Sequence, residues 1–175
     1  MKEIDRNRGI RIVCENVLAT LSTEDRESHI IDMWGIDESD ECFSQLSQQL
    51  QSVILSCEEF PTDVDEKKYD ELILLSLSGE YIGVTNEYLE EQLLLFTSTK
   101  YKVLGYVEEL NTCPCCGFKT LAELGHYEIC GLCEWEDSGA VDLDDYSTPN
   151  RQTLRGAKEK FLMSKKSLPL NKWAK

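Results

Sequence analysis

Residues 113–133 read CPCCGFKTLAELGHYEICGLC, and this stretch decides how the C-terminal third of the chain folds. It holds two Cys-x-x-Cys pairs, Cys113 with Cys116 and Cys130 with Cys133, and thirteen residues separate the pairs. A Cys-x-x-Cys turn aims two thiolates at one point, so two turns provide the four sulfur ligands of a tetrahedral ion. The spacing therefore predicts one Zn²⁺ held by these four cysteines.

A shell of four cysteines leaves no coordination position for a substrate, so the predicted ion is structural. Rubredoxin-type iron is the alternative, because four thiolates also suit that metal. Between the pairs, residues 118–121 and 127–129 are predicted to form the two strands of a hairpin. Cys115 is interpreted as a bystander rather than a reactive thiol, and His126 as a hydrogen-bonded side chain rather than a ligand.

Eight cysteines occur among the 175 residues, and five of them lie within this one stretch. The start of the chain lacks the apolar segment of a secretory signal, and no apolar run reaches the ~18 residues of a membrane span. We therefore expect a cytoplasmic protein, in which clustered cysteines bind metal rather than form disulfides. Cys14, Cys42 and Cys57 lie apart from the cluster and are predicted to be small core residues.

The first 110 residues show mainly helical periodicity. Apolar residues at i, i+3, i+4 spacing predict a helix along residues 10–21, and Ser22 with Asp25 predicts a capping-box start of a second helix that ends near Gly35. A third helix is predicted to begin at Ser39. Its apolar face would contain Phe43, Leu46, Leu50, Ile54 and Cys57.

The rest of the chain mixes helices and strands. Residues 72–77 fit a buried strand or a helix, Thr85 fits the N-cap of a helix through Phe96, and residues 101–109 fit a strand. A last helix, capped by Thr148 or Asn150, would bury Leu154, Ala157 and Phe161. The predicted fold class is α+β, with a mainly helical domain with a few strands at residues 1–110. A small zinc ribbon followed by a helix forms the second domain, at residues 111–175.

The net charge is −15 and is unevenly distributed, because residues 1–110 contribute −15, residues 111–150 contribute −7 and residues 151–175 contribute +7. An acidic body disfavours nucleic acid and attracts a basic partner. Solubility alone is the alternative explanation. Four lysines of the last helix region form a basic surface, interpreted as a partner for the acidic body, with RNA as the alternative: Lys158, Lys160, Lys165 and Lys166.

The cysteine segment resembles a bacterial family, the cysteine-rich CPCC domain, over residues 112–162. The resemblance rests on Cys113-Pro-Cys-Cys-Gly-Phe-Lys-Thr-Leu and on Tyr127-Glu-Ile-Cys-Gly-Leu-Cys-Glu-Trp-Glu-Asp, followed by a looser tail to Phe161. Gly131 stands where the family usually has proline. The resemblance implies a small bacterial protein, with some members found in toxin–immunity gene neighbourhoods. It does not extend to residues 1–110.

The motifs of common enzymes are missing from the sequence, which has no P-loop, no GxGxxG and no HExxH, so no catalytic activity is expected. The acidic charge and the resemblance together favour a protein-binding function, namely an immunity protein that neutralises a basic nuclease toxin. A zinc-ribbon protein that binds nucleic acid or acts as a regulatory accessory is the alternative. Candidate partner-binding residues are the acids of two loops: Asp37, Glu38, Asp40, Glu41, Asp63, Asp65 and Glu66.

Trp135 is predicted to lie beside the second cysteine pair and to shield its sulfurs from water. The neighbouring acids Glu134, Glu136 and Asp137 are interpreted as a solvated rim. A metal-stabilising or catalytic role for these acids is the alternative.

Overall fold

The computed structural model describes residues 2–56 and 59–175. Contacts divide the chain into two compact units. Unit 1 comprises Met1–Ile82 and Glu90–Leu104, and unit 2 comprises Gly83–Leu89 and Gly105–Lys175. The α+β fold class is confirmed, whereas the domain boundary after residue 110 stays a prediction.

Unit 1 is built on helices, with one small parallel sheet. The sheet pairs β1 with β2 in register from Lys2 opposite Tyr101 to Asp5 opposite Leu104. Helix α4 packs against both α1 and α2. The elements are β1 (Lys2–Asp5), α1 (Arg6–Leu18), α2 (Thr23–Met33), α3 (Gln48–Ser56), α4 (Asp70–Gly79), α5 (Asn86–Thr97) and β2 (Tyr101–Leu104).

Three helices begin directly after a residue whose side chain accepts a hydrogen bond from a free backbone N–H group of the first turn. The Asp5 carboxylate accepts hydrogen bonds from the backbone N–H groups of Asn7 and Arg8, so α1 starts earlier than the apolar stripe predicts. The Ser22 hydroxyl accepts from the Asp25 N–H, which confirms the predicted start of α2. Thr85 likewise accepts from the Tyr88 N–H and confirms the start of α5.

Two predicted elements of unit 1 are present but have the wrong bounds. No helix begins at Ser39, because the Asp37 carboxylate accepts from the Ser39 N–H in a turn. Instead a short 3₁₀ turn at Phe43–Gln45 precedes α3, whose first turn is hydrogen-bonded by Ser47. The strand predicted along residues 101–109 ends at Leu104, where Gly105 has φ of 142° and pairing stops.

The apolar core of unit 1 centres on α4. Residues 72–77 are helical, which settles the alternative between strand and helix, and Leu72 and Ile73 are fully buried. Cys14 is also buried, as predicted, and burial raises the pKa of its thiol to about 11. Cys42 is only half-buried, so its assignment to the core is wrong, and Cys57 lies outside the described residues.

Among the described residues, unit 2 contains two short antiparallel strand pairs, two isolated antiparallel bridges and the helix α6. Strands β3 (Asn111–Thr112) and β4 (Lys119–Leu121) pair with each other, as do β5 (Tyr146–Ser147) and β6 (Gln152–Thr153). Helix α6 (Leu154–Ser164) buries Leu154, Ala157 and Phe161, as predicted. Its N-cap is Thr153 rather than Thr148 or Asn150, because the Thr153 hydroxyl accepts from the Gly156 N–H.

The hairpin predicted between the cysteine pairs is wrong. Strand β4 pairs with β3 across the first cysteine pair, and Ile129 pairs with Glu136 across the second. Each pair therefore lies at the tip of its own hairpin, which positions both turns for one shared ion. In the described part of the chain, no helix is long and apolar enough to cross a membrane.

Candidate metal centre

Four sulfur atoms converge in unit 2. The Sγ atoms of Cys113, Cys116, Cys130 and Cys133 all lie within 4.8 Å of one another. Two of the sulfur–sulfur distances, Cys113 to Cys133 and Cys116 to Cys130, are 3.7 Å. A tetrahedral ion with metal–sulfur bonds of about 2.3 Å places its ligands about 3.8 Å apart. The cluster is therefore close to the size of a tetrahedral site with four sulfur ligands.

The two cysteine turns have the same backbone. We call residues 113–117 the first knuckle and residues 130–134 the second knuckle. In the first, the Gly117 N–H donates to the Cys113 carbonyl oxygen, and in the second the Glu134 N–H donates to the Cys130 carbonyl oxygen. The residue after the second cysteine is left-handed in both, with φ of 78° at Gly117 and 60° at Glu134. This local symmetry presents two pairs of sulfurs to a common centre.

Four thiols this close share their protons. Hydrogen bonds within the cluster are the largest cause of each shift, lowering the pKa values of Cys113 and Cys130 and raising those of Cys116 and Cys133. Only part of the cluster ionises by itself, because adjacent negative charges repel. A bound divalent cation removes that restriction and would hold all four sulfurs as thiolates.

Cys130 has the most polar support of the four ligands. The Thr120 hydroxyl, buried on β4, donates to its Sγ at 3.0 Å, and the Leu132 N–H approaches the same sulfur at 3.5 Å. After the bonds from the other cysteines, the Thr120 bond also lowers the Cys130 pKa, whereas burial opposes the shift. Such partners orient a ligand and stabilise its charged form.

The two other candidates in the segment do not join the cluster. Cys115 is buried and is not among the four clustered sulfurs. Its carbonyl oxygen lies 3.5 Å from the Lys158 ammonium, which places a cation of α6 next to the first knuckle. His126 is exposed, with 70% of its side chain accessible, and its Nδ1 lies 3.5 Å from Glu123. It is therefore not among the clustered ligands, and its polar contact is with Glu123.

The acids after the second knuckle do not form a solvated rim. Asp137 is only 2% exposed, and its carboxylate accepts from the backbone N–H groups of Gly125 and Gly139. Glu136 is half-buried, and its backbone N–H and carbonyl bond to the side-chain amide of Asn150. Only Glu134 is exposed. Asp137 and Glu136 therefore belong to the scaffold of the second hairpin.

Two tryptophans lie near the second knuckle. Trp135 directly follows it and is 2% exposed, and the shielding of the sulfurs by its ring stays a prediction. Trp173 was not recognised in the sequence analysis, although a tryptophan in an otherwise polar tail is a signal of packing. A Cβ atom at Gly131 would lie 3.0 Å from the ring of Trp173, so the ring occupies the space of a side chain. A larger residue at position 131 would therefore crowd Trp173.

Residues 111–164 match the Cysteine-rich CPCC family model. The match contains both knuckles, the buried Asp137 and α6, and it leaves residues 1–110 without a recognised family. No curated protein and no solved structure matches the chain. The CPCC segment with its four clustered cysteines could therefore hold a metal ion, and the geometry of the sulfurs defines the ligands.

The predicted partner-binding acids are all exposed, but the structure places them at two ends of one helix. Asp65 accepts from the hydroxyl of Thr23, the first residue of α2, whereas Asp37 follows the last turn of α2. These ends are about 15 Å apart at 1.5 Å per residue. Four exposed acids of α2 lie between these ends and were not among the predicted partner-binding residues: Glu24, Asp25, Glu27 and Asp32.

We call this set of eleven exposed carboxylates the acidic strip. Its members are Glu24, Asp25, Glu27, Asp32, Asp37, Glu38, Asp40, Glu41, Asp63, Asp65 and Glu66. Arg26 lies within α2 but is buried, and its guanidinium donates to the Val64 carbonyl and the Asp70 carboxylate. Because Arg26 is directed inward, the accessible charge of α2 itself is negative.

Proposed function

We propose that the chain is a non-enzymatic, zinc-stabilised protein that binds a basic protein partner through the acidic strip. The observation on which this rests is the exposure of eleven carboxylates on α2, on the turn that follows it and on the loop at residues 63–66 that contacts its first residue. Two of them are partly neutralised, Asp65 by Arg26 and Glu66 by Lys68. Such a surface raises the rate of encounter with a positively charged partner. It also repels the phosphates of nucleic acid.

Zinc is the proposed ion of the CPCC segment. Cys113, Cys116, Cys130 and Cys133 would hold it, and their 3.7 Å spacings suit the size of the tetrahedral site. The ion would link two hairpins that have only a few backbone pairs each. With four protein ligands it has no open position for a substrate, which supports a structural and non-catalytic site.

The specific form of this proposal is an immunity protein that neutralises a cognate toxin, with a basic nuclease as the toxin. The strip would cover the cationic surface with which a nuclease binds phosphates, because carboxylates offer comparable acceptor oxygens. The resemblance of the CPCC segment to proteins from toxin–immunity gene neighbourhoods supports this form.

The first test is the gene next to the coding sequence. A toxin-like reading frame there supplies the partner, which is then titrated against the full zinc-loaded chain at increasing salt. We expect affinity to fall as salt rises, because the Debye length shortens from about 10 Å at 0.1 M to 3 Å at 1 M. Affinity that is independent of salt would contradict the electrostatic mechanism, and absence of a toxin gene would remove the immunity form.

A matched pair of triple variants tests the surface itself. Glu27→Gln with Glu38→Gln and Glu41→Gln neutralises three positions of the strip, and we expect about tenfold weaker binding. The control set, Glu87→Gln with Asp142→Asn and Glu159→Gln, removes the same charge from exposed positions of unit 2. Equal loss in both sets would show that only net charge matters. A stable complex with an RNA oligonucleotide at 0.2 M salt would favour the nucleic-acid alternative.

A further inference from the structure

Three aromatic side chains meet at the C-terminal end of α2, within unit 1. We call Trp34, Phe60 and Tyr69 the aromatic cluster. The ring centroids of Trp34 and Phe60 are 5.9 Å apart, as are those of Trp34 and Tyr69, and both contacts are edge-to-face. Tyr69 is buried, whereas Trp34 and Phe60 are only half-buried. The cluster therefore reaches the surface through Trp34 and Phe60.

These two residues lie where the two loops of the acidic strip begin. Trp34 ends α2, and the acidic turn starts three residues later at Asp37. Phe60 likewise lies three residues before Asp63, which starts the acidic loop at residues 63–66. Exposed carboxylates therefore follow each ring of one contacting pair. A partner that covers the turn after α2 comes close to both rings.

The charge distribution at this end of α2 favours a cation. The last carbonyl groups of a helix carry partial negative charge, and the last turn of α2 has no basic residue. The faces of aromatic rings are also negative, and they attract a cation within about 6 Å.

The aromatic cluster already contacts one cation of its own chain. The Lys68 ammonium lies 4.8 Å from the ring centroid of Tyr69 and 2.8 Å from the Glu66 carboxylate. One ring and one carboxylate thus hold a positive charge between them. Trp34 and Phe60 have exposed carboxylates nearby in sequence and can offer the same combination to a cation from outside the chain.

We propose that Trp34 and Phe60 form the anchor of the acidic strip and bind the guanidinium group of an arginine of the basic partner. This inference rests on the proposed function and adds to it the partner side chain and its place of binding. Arginine suits the site better than lysine, because a planar guanidinium stacks on a ring while it hydrogen-bonds to a carboxylate. Tryptophan and arginine are also enriched among the residues that dominate binding energy at interfaces.

The test uses the full zinc-loaded chain and two peptides of equal charge, hexa-arginine and hexa-lysine, at about 0.1 M salt. We expect hexa-arginine to bind about fivefold more tightly, because the carboxylates attract both peptides but guanidinium stacks better on the rings. In ¹⁵N-labelled protein, hexa-arginine should shift the indole N–H signal of Trp34, which Trp34→Phe assigns. The signal of Trp135, a residue only 2% exposed, should stay unchanged.

Two variants test the rings. Trp34→Leu and Phe60→Leu each keep an apolar side chain and remove one ring, so the preference for hexa-arginine should fall from about fivefold to about twofold or less. Affinity for hexa-lysine should change by less than about twofold, because no charge is altered. Tyr106→Leu removes an aromatic ring from an exposed position of unit 2 and is the matched control that should keep the full preference.

The outcomes separate the anchor from the acidic strip. Equal binding of the two peptides, an unchanged Trp34 signal, or an unchanged preference in both leucine variants would overturn the anchor and leave the strip in place. Failure of both peptides to bind would overturn the anchor together with the strip. The two peptides on the unaltered chain decide the question if a leucine variant does not fold.

Discussion

The first and second knuckles of the metal centre have the same backbone but different means of support. The first is stabilised by its neighbours in sequence, because Gly117 relieves the left-handed turn and β3 pairs with β4 on either side. The second places Glu134, a residue with a side chain, in the same conformation, although backbone hydrogen bonds also join its flanks, from Tyr127 to Asp137 and from Cys130 to Trp135. It has further side-chain support from outside the hairpin, because the Thr120 hydroxyl donates to Cys130 and the Asn150 amide bonds to the Glu136 backbone. We infer that matched substitutions will affect the two knuckles by different mechanisms.

The largest effect should come from the ligands, and here the two knuckles should behave alike. Cys113→Ser and Cys130→Ser each remove one of four sulfurs from a shared ion, so metal content should fall from about one per chain to near zero. Elemental analysis of tag-free protein measures this, and Cys115→Ser is the control that should keep its metal.

Thermal melts of the same variants test the domains, because residues 1–110 should keep their transition while the metal segment loses order. Simultaneous loss of both would contradict the predicted boundary.

The next effect separates the knuckles. Asp137→Asn replaces one acceptor oxygen with an N–H₂ group that faces the backbone N–H of Gly125 or Gly139. We expect a loss of about 2 kcal/mol in the free energy of unfolding, because a buried polar group loses its partner. Chemical denaturation of the zinc-loaded protein gives the value. Asp142→Asn, at an exposed position, should change it by less than about 0.5 kcal/mol.

A smaller effect should follow from Thr120→Val, which removes the hydroxyl that donates to Cys130 Sγ at 3.0 Å. Metal affinity should fall about tenfold, as is typical when a partner of a ligand is lost. The bond lowers the pKa of Cys130, so its removal raises that pKa, and protons should displace the metal at a higher pH than in the unaltered chain. Competition with a chelator across a pH series measures both changes. Thr112→Val, an exposed position next to the first knuckle, should change neither.

The smallest contrast concerns the left-handed residues. Gly117→Ala should destabilise the first knuckle by about 1–2 kcal/mol, because φ of 78° is unfavourable for alanine although no atom crowds its Cβ. In Glu134→Gly, relief of the backbone strain stabilises the fold, but the greater freedom of the unfolded chain opposes that gain. The free energy of unfolding should therefore stay unchanged or rise by less than about 1 kcal/mol. Urea unfolding of the two variants distinguishes them. Equal effects of the same sign would contradict this assignment of strain.

The same contrast explains how much of the site the sequence could predict. The four ligands and the turn at Gly117 follow from local spacing, and so do helix starts such as Ser22, because each depends on a few consecutive residues. The predicted hairpin was wrong because each cysteine pair lies at the tip of its own hairpin, and apolar segments alone do not specify their strand partners. The supports Thr120 and Trp173 required a fold that brings distant segments together.

Asp137 shows the limit most clearly. In the sequence it is one of several acids near the second knuckle and resembles a solvated charge run. In the fold it is buried and accepts two backbone hydrogen bonds. Nothing in its immediate neighbours distinguishes it from Glu134, because its partners are supplied by turns at Gly125 and Gly139.

The hydrogen bonds near both ends of the chain affect how recombinant versions should be made. The Lys2 N–H donates to the Lys100 carbonyl, and the Ala174 carbonyl accepts from the Lys119 N–H at 2.8 Å. An affinity tag joined directly at either end would begin within one or two residues of these bonds. A flexible spacer followed by a protease site, cleaved before any metal assay, keeps the fusion sequence away from β4 and from the ring of Trp173.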